Sequence, residues 1–325
     1  MARRRKRSSL GAEPDGMSIG CKSNGKTRSR RGFIVVAVLW VLAALSALVL
    51  IYLTYVTSTA VVVAGSTDRV QADALVTAGV ELTAYRLTAV KEEVRPTSGT
   101  FEARLGTARI SVTFRSEAAR IDLNSAPKAM LIGLVTGLGV AASDAAGYVD
   151  HILAWRTPTE LGEDDPENSF YRTSGATYLP RHAPFPAAEE LWLVRGIPPL
   201  VIENMLPFVT VFSNLATINI IEAEPQVVAA LPGMTPENLQ NVLAQRGDPA
   251  LDPRSLLGSA GNGEGASLAA SKAYRISVAV VFDKGRQTSA EVVILLLEDG
   301  DEPYRVLSWR NASDGGMAPQ RVSPK

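Results

Sequence analysis

The two residue types that most often carry chemistry in proteins, histidine and cysteine, are scarce in this chain of 325 residues. His151 follows Asp150 in a segment with helical apolar spacing, and His182 lies in a proline-rich segment. Cys21 is the single cysteine, which excludes an internal disulfide. The sequence has no phosphate-binding glycine loop, no nucleophile elbow and no zinc-ligand spacing. We therefore expect both histidines to be surface residues and the protein not to be an enzyme.

One acidic cluster has the composition of a metal-binding loop. It lies in the segment TELGEDDPENS, residues 159–169, and consists of Glu160, Glu163, Asp164, Asp165 and Glu167. Flexible loops rich in carboxylates suit calcium, which takes about six to eight oxygen ligands. The cluster predicts a calcium site, and a solvated acidic loop is the alternative that the sequence leaves open.

Charge is distributed unevenly along the chain. The formal net charge is zero, yet residues 1–31 carry ten lysines and arginines against Glu13 and Asp15, so the remainder is net acidic. A basic segment beside an apolar run stays on the cytoplasmic side of a membrane. We therefore expect the residues that follow the run to lie outside the inner membrane.

The apolar run follows this basic segment directly. Residues 33–55 contain neither a charge nor a proline, and a helix of that length, about 34 Å, crosses a hydrocarbon core of about 30 Å. A cleaved secretory signal would have a shorter apolar core, whereas hydropathy alone favours a plain signal anchor. Apolar residues continue at helical spacing through 68–90, until the breaker RPTSG at 95–99. The pattern predicts one helix from 33 to about 92, with its first half in lipid and its second half packed on a soluble domain.

The remainder predicts an α+β fold. Segments 101–105 and 109–115 flank Gly106-Thr107 as a hairpin, and 273–285, 286–300 and 303–309 are three further strands of an antiparallel sheet packed on the long helix. Between them lie segments with apolar residues at helical spacing, among them EELWLVRGIPPLVIENMLPF, interpreted as a helix–glycine–helix unit. Residues 259–267 are expected to form a flexible loop and 311–325 a disordered tail.

A weak internal repeat relates 119–156 to 216–246. Each copy has a short strand, then Asp or Asn, then a proline that starts a helix (Pro127, Pro225), a glycine turn, and a second helix that ends in arginine. The second copy, LPGMTPENLQNVLAQR, also looks like the helix-hairpin-helix of DNA-repair proteins, in which a helix N-terminus holds a phosphate. A compact helical hairpin is the interpretation we favour, because the net acidic chain after residue 32 would repel DNA.

The junction RSRRGFIVVAVLW resembles the type IV pilin and type II secretion pseudopilin superfamily, whose members have a basic leader ending in glycine before a long aliphatic helix. This resemblance implies that prepilin peptidase cleaves between Gly32 and Phe33 and methylates the new amino group of Phe33. Glycine suits that junction because the lack of a Cβ lets the scissile backbone approach catalytic carboxylates closely. Most members carry glutamate at the fifth mature position, where this chain has Ala37.

The lack of that glutamate is typical of one subfamily, the K minor pseudopilins of type II secretion. The segments RIDLNSAP, AWRTP, PFPAAEELWLVRGI and TINIIEAEPQVVAALPGM resemble this subfamily in order. The K proteins can bind calcium in the loop after Trp-Arg, but Ala154, Thr157 and Thr159 stand here where acidic residues are usual.

The resemblance implies a pilin-like fold with a large inserted helical domain, divided as follows: leader 1–32, transmembrane and spine helix 33–95, first strands 96–124, inserted helices 125–213, second hairpin and remaining strands 214–310, and tail 311–325. It also implies a single-pass protein of the inner membrane that caps the pseudopilus tip with the I and J minor pseudopilins and initiates assembly for the export of folded proteins. Its expected partners are those subunits, prepilin peptidase and membrane lipid. The alternative is a membrane-anchored helix-hairpin-helix protein for DNA uptake, and a minor pilin of a type IV pilus is a weaker one.

Overall fold

The computed structural model describes residues 30–159, 165–248, 252–260, 263–283, 285–298 and 302–312, with the backbone alone at 30–32, 56–68, 259 and 312. The chain divides into two compact units, Met1–Ser66 and Thr67–Lys325.

The first unit contains most of the long helix α1, Arg30–Thr88, which confirms the prediction of one helix from the apolar run onward. The helix ends four residues before the predicted position, and a short 3-10 turn, Glu92–Val94, precedes the predicted breaker. Phe33–Tyr55 is the one described helical segment that is long and apolar enough to cross a membrane.

In the second unit, five strands form an antiparallel sheet. Across the sheet their order is β1 (Ser98–Leu105), β2 (Ala108–Ser116), β7 (Ala273–Phe282), β8 (Gln287–Leu296) and β9 (Tyr304–Ala312). The β1–β2 hairpin turns at Gly106, whose φ of 59° favours a residue without a Cβ. The predicted strands and their antiparallel pairing are therefore confirmed.

Alternating side chains of the sheet form a core with the second part of α1. The strand β2 buries every second residue, as expected for a strand with one face on a core. Val76, Val80 and Leu87 of α1 pack on this face. Gly79 allows the close approach of helix and sheet, since a Cβ there would lie 2.9 Å from Val278 Cγ1.

A helical block with its own apolar core is inserted between β2 and β7. Its helices are α2 (Lys128–Gly137), α3 (Ala142–Arg156), α4 (Pro166–Thr173), α5 (Pro199–Met205), α6 (Pro225–Ala229), α7 (Pro236–Gln245) and α8 (Pro253–Ser259), and its 3-10 turns are Glu117–Ala119, Ala188–Leu193 and Leu206–Phe208. Two pairs of two-residue parallel strands complete the block: β3 (Ile121–Asp122) with β4 (Val209–Thr210), and β5 (Ile218–Asn219) with β6 (Ala266–Ser267).

Some local predictions are wrong. The first half of the expected helix–glycine–helix unit is the 3-10 turn Ala188–Leu193, and only its second half, α5, is an α-helix. Within the expected flexible loop 259–267, Ala266 and Ser267 form β6. The strand β9 extends to Ala312, so the first two residues of the expected disordered tail are ordered. Residues 313–325 lie outside the described residues.

Candidate functional site

The two copies of the predicted internal repeat make the same hydrogen bonds at the turn between strand and helix. Asp122 at the end of β3 and Asn219 at the end of β5 are each 1% exposed. Asp122 Oδ1 accepts hydrogen bonds from the next two free backbone N–H groups, those of Asn124 (2.8 Å) and Ser125 (3.1 Å). Asn219 Oδ1 does the same with Ile221 (3.0 Å) and Glu222 (3.2 Å). Both side chains therefore fix the turn that leads from strand to helix.

The arginine that ends each copy also has a matching role. The guanidinium of Arg156 donates to the carbonyl oxygens of Leu123 and Ala126, the latter at 2.8 Å. The guanidinium of Arg246 donates to Ala223 O at 2.7 Å. In both copies the second helix is thus held against the turn that begins the first helix, in the same position relative to Asp122 or Asn219. Burial lowers the pKa of Arg156, and the carboxylate of Asp122 opposes this shift.

The two copies meet at one close contact between helices. A Cβ on Gly133 of α2 would overlap the carbonyl oxygen of Ala230 at the end of α6 and lie 3.0 Å from its Cα. Since these are backbone atoms, they cannot rotate away, so glycine is required for α2 and α6 to approach this closely. The hairpins are packed as one block.

The second hairpin, α6–α7, has the backbone features that suggested a phosphate-binding element. Gly233 in its turn has a φ of 74°, and Thr235 caps α7 by accepting a hydrogen bond from Asn238 N at 3.2 Å. Because the threonine side chain occupies this N-terminal N–H, the cap accounts for the turn without a ligand.

The acidic cluster is described only in part. Glu160, Glu163 and Asp164 lie outside the described residues. Asp165 caps α4, accepting a hydrogen bond from Glu167 N at 3.0 Å. Among the described residues, no group of three acidic, histidine or cysteine side chains could hold a metal ion.

The two remaining acidic side chains of the cluster are paired with the two histidines. His151 Nδ1 lies 2.8 Å from Glu167 Oε1, and His182 Nε2 lies 2.9 Å from Asp165 Oδ2. All four side chains are at least three-quarters buried. The prediction that both histidines are surface residues is therefore wrong: they join α4 to α3 and to the segment that follows α4.

The predicted processing site lies at the start of α1. Gly32 is helical in its backbone, and Phe33 is 79% exposed. Ala37 is exposed one helical turn further on. The exposure of Phe33 and Ala37 does not test cleavage or methylation, so the processing prediction stays a prediction.

A group of ion pairs joins the helical block to the outer face of the sheet. Arg275 of β7 contacts Glu117 through two bonds of 2.7 and 3.1 Å and also pairs with Glu291 of β8. The hydroxyl of Thr210 donates to the same Glu117, which is 1% exposed. Burial would lower the pKa of Arg275, but the pairing with Glu117 and Glu291 outweighs it and raises the pKa. Sequence reasoning missed this cluster because Glu117 and Arg275 are 158 residues apart.

The fold defines a class before any comparison is made. A long N-terminal helix whose apolar first part could cross a membrane, and whose second part packs on an antiparallel sheet, is the architecture expected of a pilin-like protein, here with a helical block inserted after the second strand. The α+β fold predicted from the sequence is confirmed.

One protein-family model matches part of the chain. Residues 113–214, from within β2 to just before the second copy of the repeat, match the family model described as type II secretion system (T2SS), protein K. This match confirms the resemblance to the K minor pseudopilins of type II secretion that was inferred from the sequence. No curated protein matches the chain in sequence.

A solved structure has the same fold. The chain is similar to one in the crystal structure of the GspK-GspI-GspJ complex from the enterotoxigenic Escherichia coli type 2 secretion system. The identity is 19%, the TM-score is 0.53, and the alignment covers 77% of this chain and 98% of that chain. At this identity the likeness shows the fold alone.

Proposed function

We propose that this protein occupies the tip of a type II secretion pseudopilus with the I and J minor pseudopilins, and that it helps to initiate the assembly that exports folded proteins. The observation that carries the proposal is the protein K domain at residues 113–214 in a chain whose N-terminal helix could span a membrane. A protein of the same fold has been crystallised in a complex with I and J subunits.

The proposed membrane arrangement follows from the charges around α1. The basic residues 1–31 stay in the cytoplasm, Phe33–Tyr55 crosses the inner membrane, and the sheet and helical block lie in the periplasm. A chain anchored in this way presents its soluble unit where pseudopilus subunits assemble.

Processing by prepilin peptidase is the first step that can be tested. N-terminal sequencing of the protein extracted from membranes should start at Phe33, with a methylated amino group. Gly32→Val should leave the leader uncleaved, because a branched side chain blocks close approach to the scissile bond. Gly25→Val, a matched change within the leader, should be processed normally. A mature N-terminus elsewhere would contradict the proposal.

Two features support a tip position. Ala37 provides no carboxylate for the N-terminal amine of a subunit above it, and a buried carboxylate in lipid would require such a partner. The helical block also adds bulk after β2 that obstructs stacking of a further subunit. Affinity purification of the full chain from detergent-solubilised membranes should recover the I and J subunits in about equal amounts. Recovery of neither subunit under conditions in which those two copurify would refute the proposal.

The DNA-uptake alternative is tested separately with the same purified protein. We expect no salt-dependent binding of double-stranded DNA, because the chain after residue 32 is net acidic. Retarded migration of DNA that disappears at high salt would favour the alternative.

A further inference from the structure

A small cavity lies where the helical block meets the sheet. Its volume is about 110 Å³, and three arginines line it: Arg120 from the segment after β2, Arg275 of β7 and Arg310 of β9. Of the described residues that line it, Glu189 alone is acidic, and it pairs with Arg310. Arg120 and Arg275 also line a neighbouring cavity of about 220 Å³, whose lining contains Glu117 and Glu291 as well. The smaller cavity therefore presents more positive than negative charge.

The arginines around the two cavities differ in whether a carboxylate pairs with the guanidinium. Arg275 and Arg310 each have a carboxylate partner. Arg115, which lines the neighbouring cavity, pairs with Glu224 at 3.7 Å. Among the described residues, the guanidinium of Arg120 has no hydrogen-bond acceptor and no ion-pair partner, and the residue is partly exposed. Burial lowers the pKa of Arg120 and the charge of Arg275 lowers it further, whereas the nearby carboxylates of Glu117, Glu291 and Glu224 oppose this shift.

None of the Arg120 nitrogens is among the fully buried side-chain atoms that lack a hydrogen-bond partner, so the donors of this guanidinium are reached from the cavity. Its five N–H donors form a planar fork, which matches the two oxygens of a carboxylate. A carboxylate also carries a single negative charge, which suits a site already close to Glu117 and Glu291 better than a multiply charged phosphate does. The cavity holds the volume of several water molecules, enough for a carboxylate group.

We propose that the cavity formed by Arg120, Arg275 and Arg310 is a binding site for a carboxylate, and that Arg120 is its principal ligand. The carboxylate is supplied either by a small free acid or by the end of a peptide chain. The site does not depend on the proposed function, since it rests on residues of this chain alone.

The full chain in detergent tests the chemistry of the site with sodium acetate as the probe. At matched pH and ionic strength, acetate should raise the Tm of the wild-type protein above its value in sodium chloride, in a concentration-dependent way. Arg120→Gln should weaken acetate binding about tenfold or more, which is the loss expected for charge-assisted hydrogen bonds from one guanidinium. Arg115→Gln is the matched control and should bind acetate as the wild type does.

A second measurement distinguishes the two possible sources of the carboxylate, a small free acid and the end of a peptide chain. A short peptide with a free C-terminal carboxylate is compared with the same peptide as a C-terminal amide. Stabilisation by acetate and by the free peptide assigns the site to a peptide carboxylate, and stabilisation by acetate alone assigns it to a small acid. If Arg120→Gln fails to fold, Arg120→Lys retains the charge without the fork and should show weakened acetate binding. The absence of any acetate-specific rise, or an equal rise in Arg120→Gln, would overturn the proposal, leaving ordered water as the partner of Arg120.

Discussion

The two copies of the repeat differ in one side-chain atom at matching positions, which is Oδ2 in Asp122 and Nδ2 in Asn219. Substitutions that exchange these two side chains test the assigned hydrogen bonds. Asp122 Oδ2 accepts hydrogen bonds from Ser213 Oγ (3.1 Å) and Asn214 N (2.8 Å). At the matching position, Asn219 Nδ2 donates to Leu268 O (2.8 Å) and Ala269 O (3.2 Å). The carboxylate is therefore used where two donors converge, and the amide where two acceptors converge. The substitutions Asp122→Asn and Asn219→Asp keep the shape of each side chain and reverse this polarity.

The cost of Asp122→Asn can be worked out from these contacts. The amide oxygen can serve only one pair of donors, so at least one buried N–H group is left facing another donor, at about 1–3 kcal/mol. The remaining bonds change from a charged to a neutral acceptor, which loses about 1 kcal/mol each. We expect the free energy of unfolding to fall by about 3–5 kcal/mol at neutral pH.

Asn219→Asp should be at least as costly, and its cost should depend on pH. The new carboxylate would face two carbonyl oxygens with no counter-ion, a penalty of about 3–5 kcal/mol. Because the fold then favours the protonated carboxyl, the pKa of this group is higher in the folded than in the unfolded state. The penalty is consequently present at neutral pH and relieved as the pH falls toward about 4.

Urea unfolding of the full chain in detergent, followed by circular dichroism at neutral and acidic pH, measures both variants. Asn204→Asp, on an exposed site of α5, is the matched control and should change stability by about 0.5 kcal/mol or less. A loss below about 1 kcal/mol for Asp122→Asn would refute the assigned hydrogen bonds. So would an Asn219→Asp variant that is equally stable at both pH values relative to the wild type.

Three further predictions concern packing, alkaline pH and calcium. Gly133→Ala should lower the Tm, because the added Cβ would overlap the backbone of Ala230. In the control Gly137→Ala, in the same helix, the added Cβ meets nothing within 4 Å, so this variant should be neutral or stabilised by up to about 1 kcal/mol. Equal Tm values for the two variants would contradict the close contact. Burial raises the pKa of Tyr274 from 10.0 to about 12, so the folded state retains a proton that the unfolded state releases, and stability should fall by about 2 kcal/mol as the pH rises through this interval. Tyr274→Phe should reduce that fall, measured by alkaline unfolding, while Tyr85→Phe, on the exposed face of α1, should not. If the acidic segment is a calcium site, calcium should raise the Tm of the wild type, and the rise should be lost in a Glu163→Gln, Asp164→Asn double variant; an equal rise in that variant would exclude the loop.

Local patterns in the sequence were enough to predict the elements that depend on neighbouring residues. The apolar run predicts a helix because a segment of that length can cross a bilayer only if its backbone hydrogen bonds are made within it. Alternation predicts β2 because a strand turns successive side chains to opposite faces. Gly106 predicts the hairpin turn, since its backbone conformation is one that glycine adopts readily. The ordered set of family-like segments likewise indicated the K family, because it depends on residue identity alone.

The features that sequence reasoning missed depend on residues distant in the chain. The strands β4 and β6 have two residues each, too few to show a period, and exist because they pair with the predicted short strands β3 and β5, which lie far away along the chain. The histidines look solvent-exposed from their polar neighbours, but α4 brings Glu167 to His151 and Asp165 to His182. Asp122 and Asn219 are similar polar residues in similar turns, and only the groups around them, up to 92 residues away, determine which must be charged. The sequence by itself therefore determined the long N-terminal helix, the sheet and the resemblance to the K family. The tertiary structure decided which polar groups are paired and which guanidinium, that of Arg120, has no acceptor among the described residues, because pairing depends on partners that folding alone brings together.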